Sequence, residues 1–292
     1  MTEQPEYLTT REVADLLRMR ERRVYDLAAA GEIPCRRVTG RLLFPRAEID
    51  AWIGAPAPAA ARPAHPDMVV AGSHDPLLDW ALRASGCALP SFLDGSLDGL
   101  DRLVAGTAAV AGCHVPEADG GWNLGAVEAR LSGRPVVVVE WARRETGLLL
   151  APGLGAEISG PADLAGRRVA QRQESAGAQI LLQRLLAEAG VAPGDLRDGG
   201  PSARTEAEAA GAVAAGTAEA APGLACMARE YRLDFVPLAT DRFDLVVDRW
   251  AWFEPPWQRF LGFCAGPELA ARAAALGGYD ISGRGRVHWN GG

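Results

Sequence analysis

The sequence contains no lysine, and its few cysteines form no recognisable motif. All 30 basic residues are arginine, which together with abundant alanine and glycine is typical of a GC-rich genome and indicates no particular chemistry. The five cysteines are scattered, and none belongs to a C-x-x-C pair. This pattern excludes a disulfide framework and a zinc ribbon. The cysteines are therefore expected to be reduced and mostly buried.

Long apolar runs are also missing. The run from Pro135 to Val139 is closed by Glu140, far short of the roughly 18–20 apolar residues of a membrane span. The first residues are acidic and polar, so no secretory signal is expected, and we expect a cytoplasmic protein without a membrane partner. With 48% hydrophobic and 23% charged residues, the 292-residue chain has the composition of a globular protein with one or two sizeable cores.

Charge is unevenly distributed along the chain. Between Arg18 and Arg46, eight arginines stand against three acidic residues, which gives +5 within 29 residues. Because the whole chain totals −7, the remainder carries −12. A basic segment at one end of an acidic protein indicates a nucleic-acid-binding domain attached to something else.

A proline- and alanine-rich segment, GAPAPAAARPAHPD at residues 54–67, divides the chain. Its 14 residues contain four prolines and six alanines and show no periodic apolar face, which predicts a semi-rigid, extended linker. The predicted domains are therefore residues 1–53 and residues 68–292.

Residues 1–53 have the pattern helix, helix, strand hairpin, helix. Thr9 and Glu12 have the spacing of a capping box, and a second helix is predicted from about Glu21 to Ala30, with Gly31 at its carboxyl cap. The strand-like runs CRRV and RLLF flank Thr39-Gly40, and a last helix is predicted over residues 46–53. The predicted core residues are Leu8, Val13, Leu17, Val24, Leu27 and Trp52.

Residues 7–53 resemble the excisionase-like members of the MerR winged-helix superfamily. The similarity lies in the ordered phrases T-x-x-E-V-A, R-R-V-Y, G-E-I-P and F-P-x-x-x-I-x-x-W. It implies a winged helix-turn-helix that binds double-stranded DNA, with the second helix in the major groove and the hairpin as the wing. One small module implies a homodimer on paired half-sites. Each arginine could instead belong to a solvated face. The expected DNA-binding residues are Arg20, Arg22, Arg23, Tyr25, Arg36, Arg37 and Arg41.

Residues 68–292 alternate strands with helices of 10–15 residues, which predicts α/β layers with largely parallel sheets. VVVVE (136–140) and GLLLAP (147–152) are predicted as successive strands, as are DFVPL (234–238) and DLVVD (244–248). The sequence leaves open whether the tail SGRGRVHWNGG (282–292) is ordered, and its glycines favour a disordered tail.

Within this larger region, residues 68–248 resemble the cytoplasmic periplasmic-binding-protein-like (PBP-like) domain of some transcriptional regulators, related to type II binding proteins for molybdate and tungstate. The matching pieces include GSHD (72–75), RRETGLLLAPG (143–153) and RVAQRQESAGAQILLQRLLAEAG (168–190). The resemblance implies an α/β fold of two lobes around a ligand cleft, with crossing strands near residues 143–150 and 238–246. Lobe 1 would span about 68–146 and 243–292, and lobe 2 about 147–242.

Three serines, Ser73, Ser96 and Ser175, stand at strand-to-helix junctions, where backbone N–H groups and the helix dipole could cradle an anion. Each could instead be a plain helix cap. Likewise His114 could be a satisfied core histidine, Asp75 a helix cap, and Arg172 the partner of an acid. The expected ligand-binding residues are Ser73, His74, Asp75, Ser96, His114, Arg172, Ser175, Ala176, Gly177 and Glu206.

The chain departs from the related binding proteins at two positions. Ser175-Ala-Gly-Ala-Gln179 stands where G-x-G-T-R is frequent, and Thr205-Glu206 stands where Thr-His is frequent. A carboxylate at the cleft would repel an oxyanion and favour a cationic or hydroxyl-rich ligand. The ligand thus stays open between a molybdate- or tungstate-type oxyanion and a small organic molecule, and no cofactor is expected. Four tryptophans (122, 141, 250 and 252) could line the cleft or pack a lobe.

These observations favour a one-component transcriptional regulator that senses a small ligand. One alternative is an architectural or recombination accessory protein without a ligand, for which a cleft filled by side chains would argue. The other is an enzyme on a binding-protein fold. Against the enzyme, the sequence has no nucleophile elbow, H-E-x-x-H motif, P-loop or paired metal-ligand spacing.

Overall fold

The computed structural model describes residues 6–29, 31, 33–38, 40–54 and 65–291. The chain divides into two units, Met1–Arg62 and Pro63–Gly292. Most of the predicted linker (residues 55–64) and the predicted turn residue Thr39 lie outside the described residues. No helix in the described ranges is long and apolar enough to cross a membrane.

The first unit has the predicted order of two helices, a strand hairpin and a third helix, and a short strand that was not predicted precedes them. The side chain of Thr9 accepts a hydrogen bond from the backbone N–H of Glu12, and the Glu12 carboxylate accepts one from the backbone N–H of Thr9, which forms the capping box of the first helix. The elements are β1 (Tyr7–Leu8), α1 (Thr10–Leu16), α2 (Glu21–Ala29), β2 (Arg36–Val38), β3 (Arg41–Pro45) and α3 (Arg46–Gly54). β3 lies between β1 and β2 in an antiparallel sheet.

The core of this unit contains every residue that the pattern assigned to it. Leu8, Val13, Val24 and Leu27 are buried, and Leu17 and Trp52 pack against them partly buried. Val24 and Leu27 are three residues apart, so α2 turns one face inward and leaves its arginines outside.

The second unit is a mixed α/β domain around one ten-stranded sheet. Its first half contains β4 (Val70–Gly72), α4 (Pro76–Ala84), β5 (Ser91–Phe92), α5 (Ser96–Ala105), β6 (Val110–Cys113), α6 (Leu124–Leu131) and β7 (Val136–Leu150). The middle contains β8 (Arg168–Val169), α7 (Gly177–Glu188), β9 (Arg197–Asp198), α8 (Glu206–Ala214), β10 (Ala220–Leu224), α9 (Ala225–Tyr231) and β11 (Asp234–Asp248). The end contains α10 (Arg249–Trp252), α11 (Pro255–Cys264), α12 (Pro267–Leu276), β12 (Tyr279–Asp280) and β13 (Val287–Asn290).

The strand order is β5-β4-β6-β11-β7-β10-β8-β9, with β12 and β13 paired to β7. β4, β5 and β6 are parallel in one lobe, and β8, β9 and β10 are parallel in the other. The antiparallel pair β7 and β11 runs through both lobes and joins them. The predicted α/β fold with a two-lobed PBP-like domain is thus confirmed.

Two predictions of local structure are wrong. The four predicted strands around residues 136–152 and 234–248 are two continuous strands of 15 residues each, because Arg143 to Glu145 and Ala239 to Arg242 pair across the interval where the sequence turns polar. Part of the tail is also ordered, contrary to what its glycines favour, since Val287, Trp289 and Asn290 pair with β7. Backbone pairing with an existing strand compensates there for the glycines.

Each lobe has its own hydrophobic core. Lobe 1 buries Leu77, Trp141 and Trp257 on one side of the sheet and Leu100 and Val138 in a second cluster. Lobe 2 likewise buries separate clusters of aliphatic residues from α7, α8 and α9. Two separate cores connected by long strands allow the lobes to act as separate rigid bodies.

Candidate ligand cleft and DNA-binding surface

The basic residues of the first unit lie on its surface. Arg20, Arg22 and Arg23 are exposed at and just before the start of α2, and Tyr25 is 52% exposed on the same helix. The hairpin arginines Arg36, Arg37 and Arg41 are exposed as well, and NH2 of Arg36 lies 2.7 Å from a Glu48 carboxylate oxygen. The six other predicted DNA-binding side chains make no ion pair with a described residue. The second helix and the hairpin therefore both carry exposed arginine side chains.

In the second unit, the serines at strand-to-helix junctions do not cap helices. The amino-terminal caps of α4, α5 and α7 are Asp75, Gly95 and Ala176, and only Asp75 caps through its side chain. The hydroxyl groups of two of the serines instead meet each other, with Ser73 Oγ 2.8 Å from Ser96 Oγ. Ser96 Oγ also accepts a hydrogen bond from the backbone N–H of His114.

A fully buried charged network lies where β7 and β11 cross between the lobes. Arg144 donates from Nε and NH2 to the two carboxylate oxygens of Asp241, at 2.9 and 2.6 Å, and from NH1 to Asp75 at 3.0 Å. Tyr279 Oη donates to the same oxygen of Asp75. The guanidinium of Arg144 also lies 4.4 Å from the centre of the Phe243 ring. Each charge therefore has a partner in a site closed to water.

His114 is attached to this network through Asp241. Its Nδ1 lies 2.9 Å from Asp241 Oδ2. Burial and the nearby Arg144 charge lower the pKa of His114, so the ring is neutral, donates through Nδ1 and leaves Nε2 as an acceptor. Burial alone would raise the pKa of Asp241, but Arg144 and His114 outweigh it and lower this pKa to about 2.

Arg172 is paired with Glu206 inside lobe 2. NH1 of Arg172 lies 2.5 Å from Glu206 Oε1, and its other nitrogens donate to the carbonyl oxygens of Ala203 and Arg204. The guanidinium is therefore already occupied by partners within lobe 2. In contrast, Glu206 Oε2 is buried and has no hydrogen-bond partner among the described residues.

The lobes touch each other directly. Ser175 Oγ donates to Asp98 Oδ2, Gln173 Nε2 donates to the carbonyl oxygen of Asp94, and the backbone N–H of Leu97 donates to the carbonyl oxygen of Ser175. A Cβ at position 177 would overlap the His114 carbonyl oxygen, so this contact requires glycine. The structure therefore places the lobes in a closed arrangement.

An open polar pocket of about 410 Å³ remains at the junction of the lobes. Lobe 1 contributes Asp94, Asp98, Asp101 and Arg102, and lobe 2 contributes Arg204. Arg102 lies 3.4 Å and Arg204 lies 3.8 Å from carboxylate oxygens of Asp94. The pocket is thus lined by three carboxylates and two guanidinium groups, a net negative surface.

Apart from His74, the predicted cleft residues form four groups, one of which is the Arg172–Glu206 pair described above. Ser73, Ser96 and His114 meet at the lobe 1 side, Asp75 belongs to the buried network, and Ser175, Ala176 and Gly177 form the facing start of α7. His74 stands apart, with Nε2 4.0 Å from Asp79 and a buried Nδ1 that has no partner among the described residues.

Sequence reasoning missed several residues of this region. Arg144 and Asp241 form the centre of the buried network and fall within the segments predicted as crossing strands. A charged residue inside a buried strand is the sequence signal that could have identified them. Asp94, Asp98 and Gln173 carried no such signal, because only the approach of the two lobes brings them together. Trp141, Trp250 and Trp252 pack in or against the lobe 1 core, and Trp122 lies in the loop before α6.

Within the described ranges, no group of three or more His, Cys, Asp or Glu side chains is arranged to hold a metal ion. The polar side chains at the lobe junction are hydroxyl, amide, carboxylate and guanidinium groups.

Comparisons with known proteins agree with this architecture. A family described as "PBP superfamily domain" matches residues 80–265, and one described as "Helix-turn-helix domain" matches residues 7–55. The curated protein "Uncharacterized protein YvgK" of Bacillus subtilis (strain 168) is 28% identical over 259 residues, which covers 82% of this chain and 84% of that protein.

Solved structures also superpose on this chain. A substrate-binding protein from Clostridium perfringens with bound phosphate superposes with a TM-score of 0.52 at 12% identity, over 72% of this chain and 97% of that chain. The regulatory domain of MetR, a LysR family regulator from N. meningitidis, gives a TM-score of 0.49 at 13% identity, over 73% of this chain and 96% of that chain.

Proposed function

We propose, because this chain belongs to the family of the PBP superfamily domain and carries a helix-turn-helix domain before it, that the protein is a one-component transcriptional regulator. Its first unit binds double-stranded DNA as part of a homodimer in the cytoplasm, and its PBP-like domain senses a small ligand between the lobes. Ligand binding changes the balance between lobe arrangements and thereby DNA binding, since a ligand acts only through its preference for one arrangement.

The ligand that we propose is a small organic molecule that donates hydrogen bonds, such as an amine or a polyol. The observation that carries this proposal is the buried Glu206 Oε2 without a partner among the described residues, because an unpaired buried carboxylate oxygen costs about 1–3 kcal/mol or more. Gln173 Oε1 is likewise buried without a partner among those residues. Both atoms accept hydrogen bonds, and the neighbouring neutral His114 offers Nε2 as a further acceptor.

The charge around the cleft points the same way. Arg172, the cation that would suit an oxyanion, is already bound to Glu206, and the pocket at the lobe junction is lined by Asp94, Asp98 and Asp101. An oxyanion such as molybdate, tungstate or phosphate would meet these carboxylates while Arg172 is held by its own partner. We therefore do not propose phosphate as the ligand of this chain, although the structurally similar binding protein contains bound phosphate.

The ligand test is thermal unfolding of the full chain with alkyl amines, diamines, amino acids, sugars, molybdate, tungstate, sulfate and phosphate. A ligand at 100 times its Kd adds about 2.7 kcal/mol, which for a domain of this size raises the Tm by roughly 5–10 °C. We expect a shift with an amine or polyol and none with the oxyanions. A shift with oxyanions alone would contradict the proposed ligand class.

Glu206→Gln tests the proposed acceptor. The glutamine Oε1 can still accept from Arg172, while its amide nitrogen replaces Oε2, so the shift caused by the identified ligand should disappear with the fold intact. Glu208→Gln is the matched control, because Glu208 is exposed on the same helix and accepts only from the backbone N–H of Arg204, while its own N–H donates to Thr205. Equal effects of both variants would refute the role of Glu206.

DNA binding is tested by the salt dependence of affinity for duplexes selected from a random pool. Arg22→Ala and Arg23→Ala should each weaken binding and lower the slope of log K against log salt by about one for each phosphate that the arginine neutralises. Arg83→Gln, an exposed arginine of the second unit, should change neither quantity. Sedimentation of the protein with DNA measures the number of copies per site.

One observation favours a second candidate function, an architectural DNA-binding protein without a ligand. The lobes are closed by direct hydrogen bonds between them, including Ser175 to Asp98 and Gln173 to Asp94. If no compound in the panel changes the Tm while the protein binds DNA, this second function replaces the first.

A further inference from the structure

A second pocket lies within lobe 1, and its lining is largely apolar, unlike the charged lining of the interlobe pocket. It encloses about 210 Å³ between the sheet, where Trp141 and Leu245 form the floor, and α10 and α11, which contribute Trp252, Trp257 and Phe260. Trp257 stacks on Phe260 with ring centres 4.9 Å apart, and Trp252 lies 6.4 Å from Trp257. Four of the eleven lining residues are aromatic and most of the others are apolar. The volume lies below the range of about 300–1,000 Å³ for drug-sized ligands. A single small ring or a branched chain fits.

Two hydrogen-bond donors of this pocket are unused. Trp257 Nε1 is buried and has no partner among the described residues. Arg284, in the loop before β13, also lines the pocket and makes no side-chain hydrogen bond or ion pair with a described residue. An aromatic wall with an unpaired indole N–H and an unpaired guanidinium complements a molecule with an apolar body and an anionic end.

The carboxylate that lines the pocket is already neutralised. Glu140 Oε2 lies 2.8 Å from His288 Nε2, and its Oε1 accepts from Arg143 Nε at 3.3 Å. The loop that carries Arg284 is held in place, because the backbone N–H of Gly285 donates to the Glu140 carbonyl oxygen and the N–H of Glu140 donates to the Arg286 carbonyl oxygen. Arg284 therefore lies in a loop fixed by backbone hydrogen bonds, and its guanidinium has no ion-pair partner among the described residues.

We infer that lobe 1 contains a second ligand site, selective for a small aromatic or branched aliphatic carboxylate. The apolar body occupies the space between Trp141, Trp252 and Phe260, and the carboxylate accepts hydrogen bonds from Arg284 and Trp257 Nε1. This site is independent of the ligand proposed for the interlobe cleft.

The test uses isothermal titration of the full chain with benzoate and with its neutral isostere benzamide. Benzoate should bind with one site per chain and at least about tenfold more tightly than benzamide, because a hydrogen bond to a charged group contributes that much. Arg284→Gln should reduce benzoate affinity to the level of benzamide. Arg286→Gln is the matched control, since Arg286 lies two residues away on the same loop and does not line this pocket.

Two more variants locate the site. Leu261→Trp, at a half-buried position of the wall, should fill the space and abolish binding of both probes, whereas Glu206→Gln in the cleft should leave benzoate binding unchanged. The inference is overturned if benzoate does not bind at millimolar concentration, if the Arg284 and Arg286 variants lose affinity equally, if Leu261→Trp binds as well as the unaltered chain, or if Glu206→Gln abolishes binding.

Discussion

The buried network between the lobes should be the largest electrostatic contribution to the stability of the second unit. Asp241→Asn removes the carboxylate that receives two hydrogen bonds from Arg144 and one from His114. The pKa of Asp241 is about 2 in the folded protein instead of 3.8, which corresponds to a contribution of about 2.5 kcal/mol to the free energy of unfolding at neutral pH. A second estimate of the same effect is the typical cost of breaking a buried pair, about 3–5 kcal/mol, because Arg144 is left partly unpaired in the interior.

We therefore expect Asp241→Asn to reduce the free energy of unfolding by about 2.5–5 kcal/mol at pH 7 and the Tm by roughly 5–20 °C. The assay is urea denaturation at pH 7 and pH 3. Because the folded pKa is depressed, the contribution is complete above about pH 4 and is lost as the pH falls through about 2. The difference between the variant and the unaltered protein should accordingly be smaller at pH 3.

Asp101→Asn is the control, because the Asp101 carboxylate is 66% exposed and pairs with Arg130 on the surface. That pair should contribute at most about 0.5 kcal/mol. A cost below about 1 kcal/mol for Asp241→Asn at pH 7, or a cost that does not shrink at pH 3, would refute the reasoning from burial and pairing.

Three further predictions address separate parts of the molecule. Burial raises the pKa of Asp244 to about 6 despite its neighbouring arginine, so the folded state binds more protons than the unfolded state between about pH 4 and 6. As the pH rises from 4 to 7, the free energy of unfolding of Asp244→Asn should therefore increase by up to about 3 kcal/mol relative to that of the unaltered protein, as measured by chemical denaturation. Gly177→Ala places a methyl group against the His114 carbonyl oxygen and should hold the lobes apart. Small-angle scattering would detect this as a larger radius of gyration, and an unchanged scattering profile would contradict the contact between Gly177 and His114. Thr9→Ala removes the capping interaction with Glu12 and should cost about 1 kcal/mol, seen as roughly fivefold faster amide exchange in α1 of the full chain, with exchange in α5 unchanged.

Much of the fold follows from patterns of near neighbours. The capping box at Thr9 and Glu12 and the start of α5 at Ser96 are local signals, and both lie where the sequence indicated. Strand boundaries were less accurate, because Arg143 and Arg144 look like a polar break in sequence. The charge of Arg144 is instead accommodated within one continuous strand by partners more than 60 residues away.

The candidate site divides in the same way. Residue type and spacing along the chain predict the basic helix and hairpin and the strand-to-helix junctions with their serines. The resemblance to related binding proteins draws attention to Glu206, which stands where those proteins frequently have histidine. Folding, in contrast, establishes that Arg172 is bound to Glu206, that Asp241 orients His114, and that Arg284 lines a tryptophan pocket. The physical reason is that hydrogen bonds and ion pairs depend on distances of about 3 Å between atoms, and the packing of distant segments sets those distances for residues far apart in sequence.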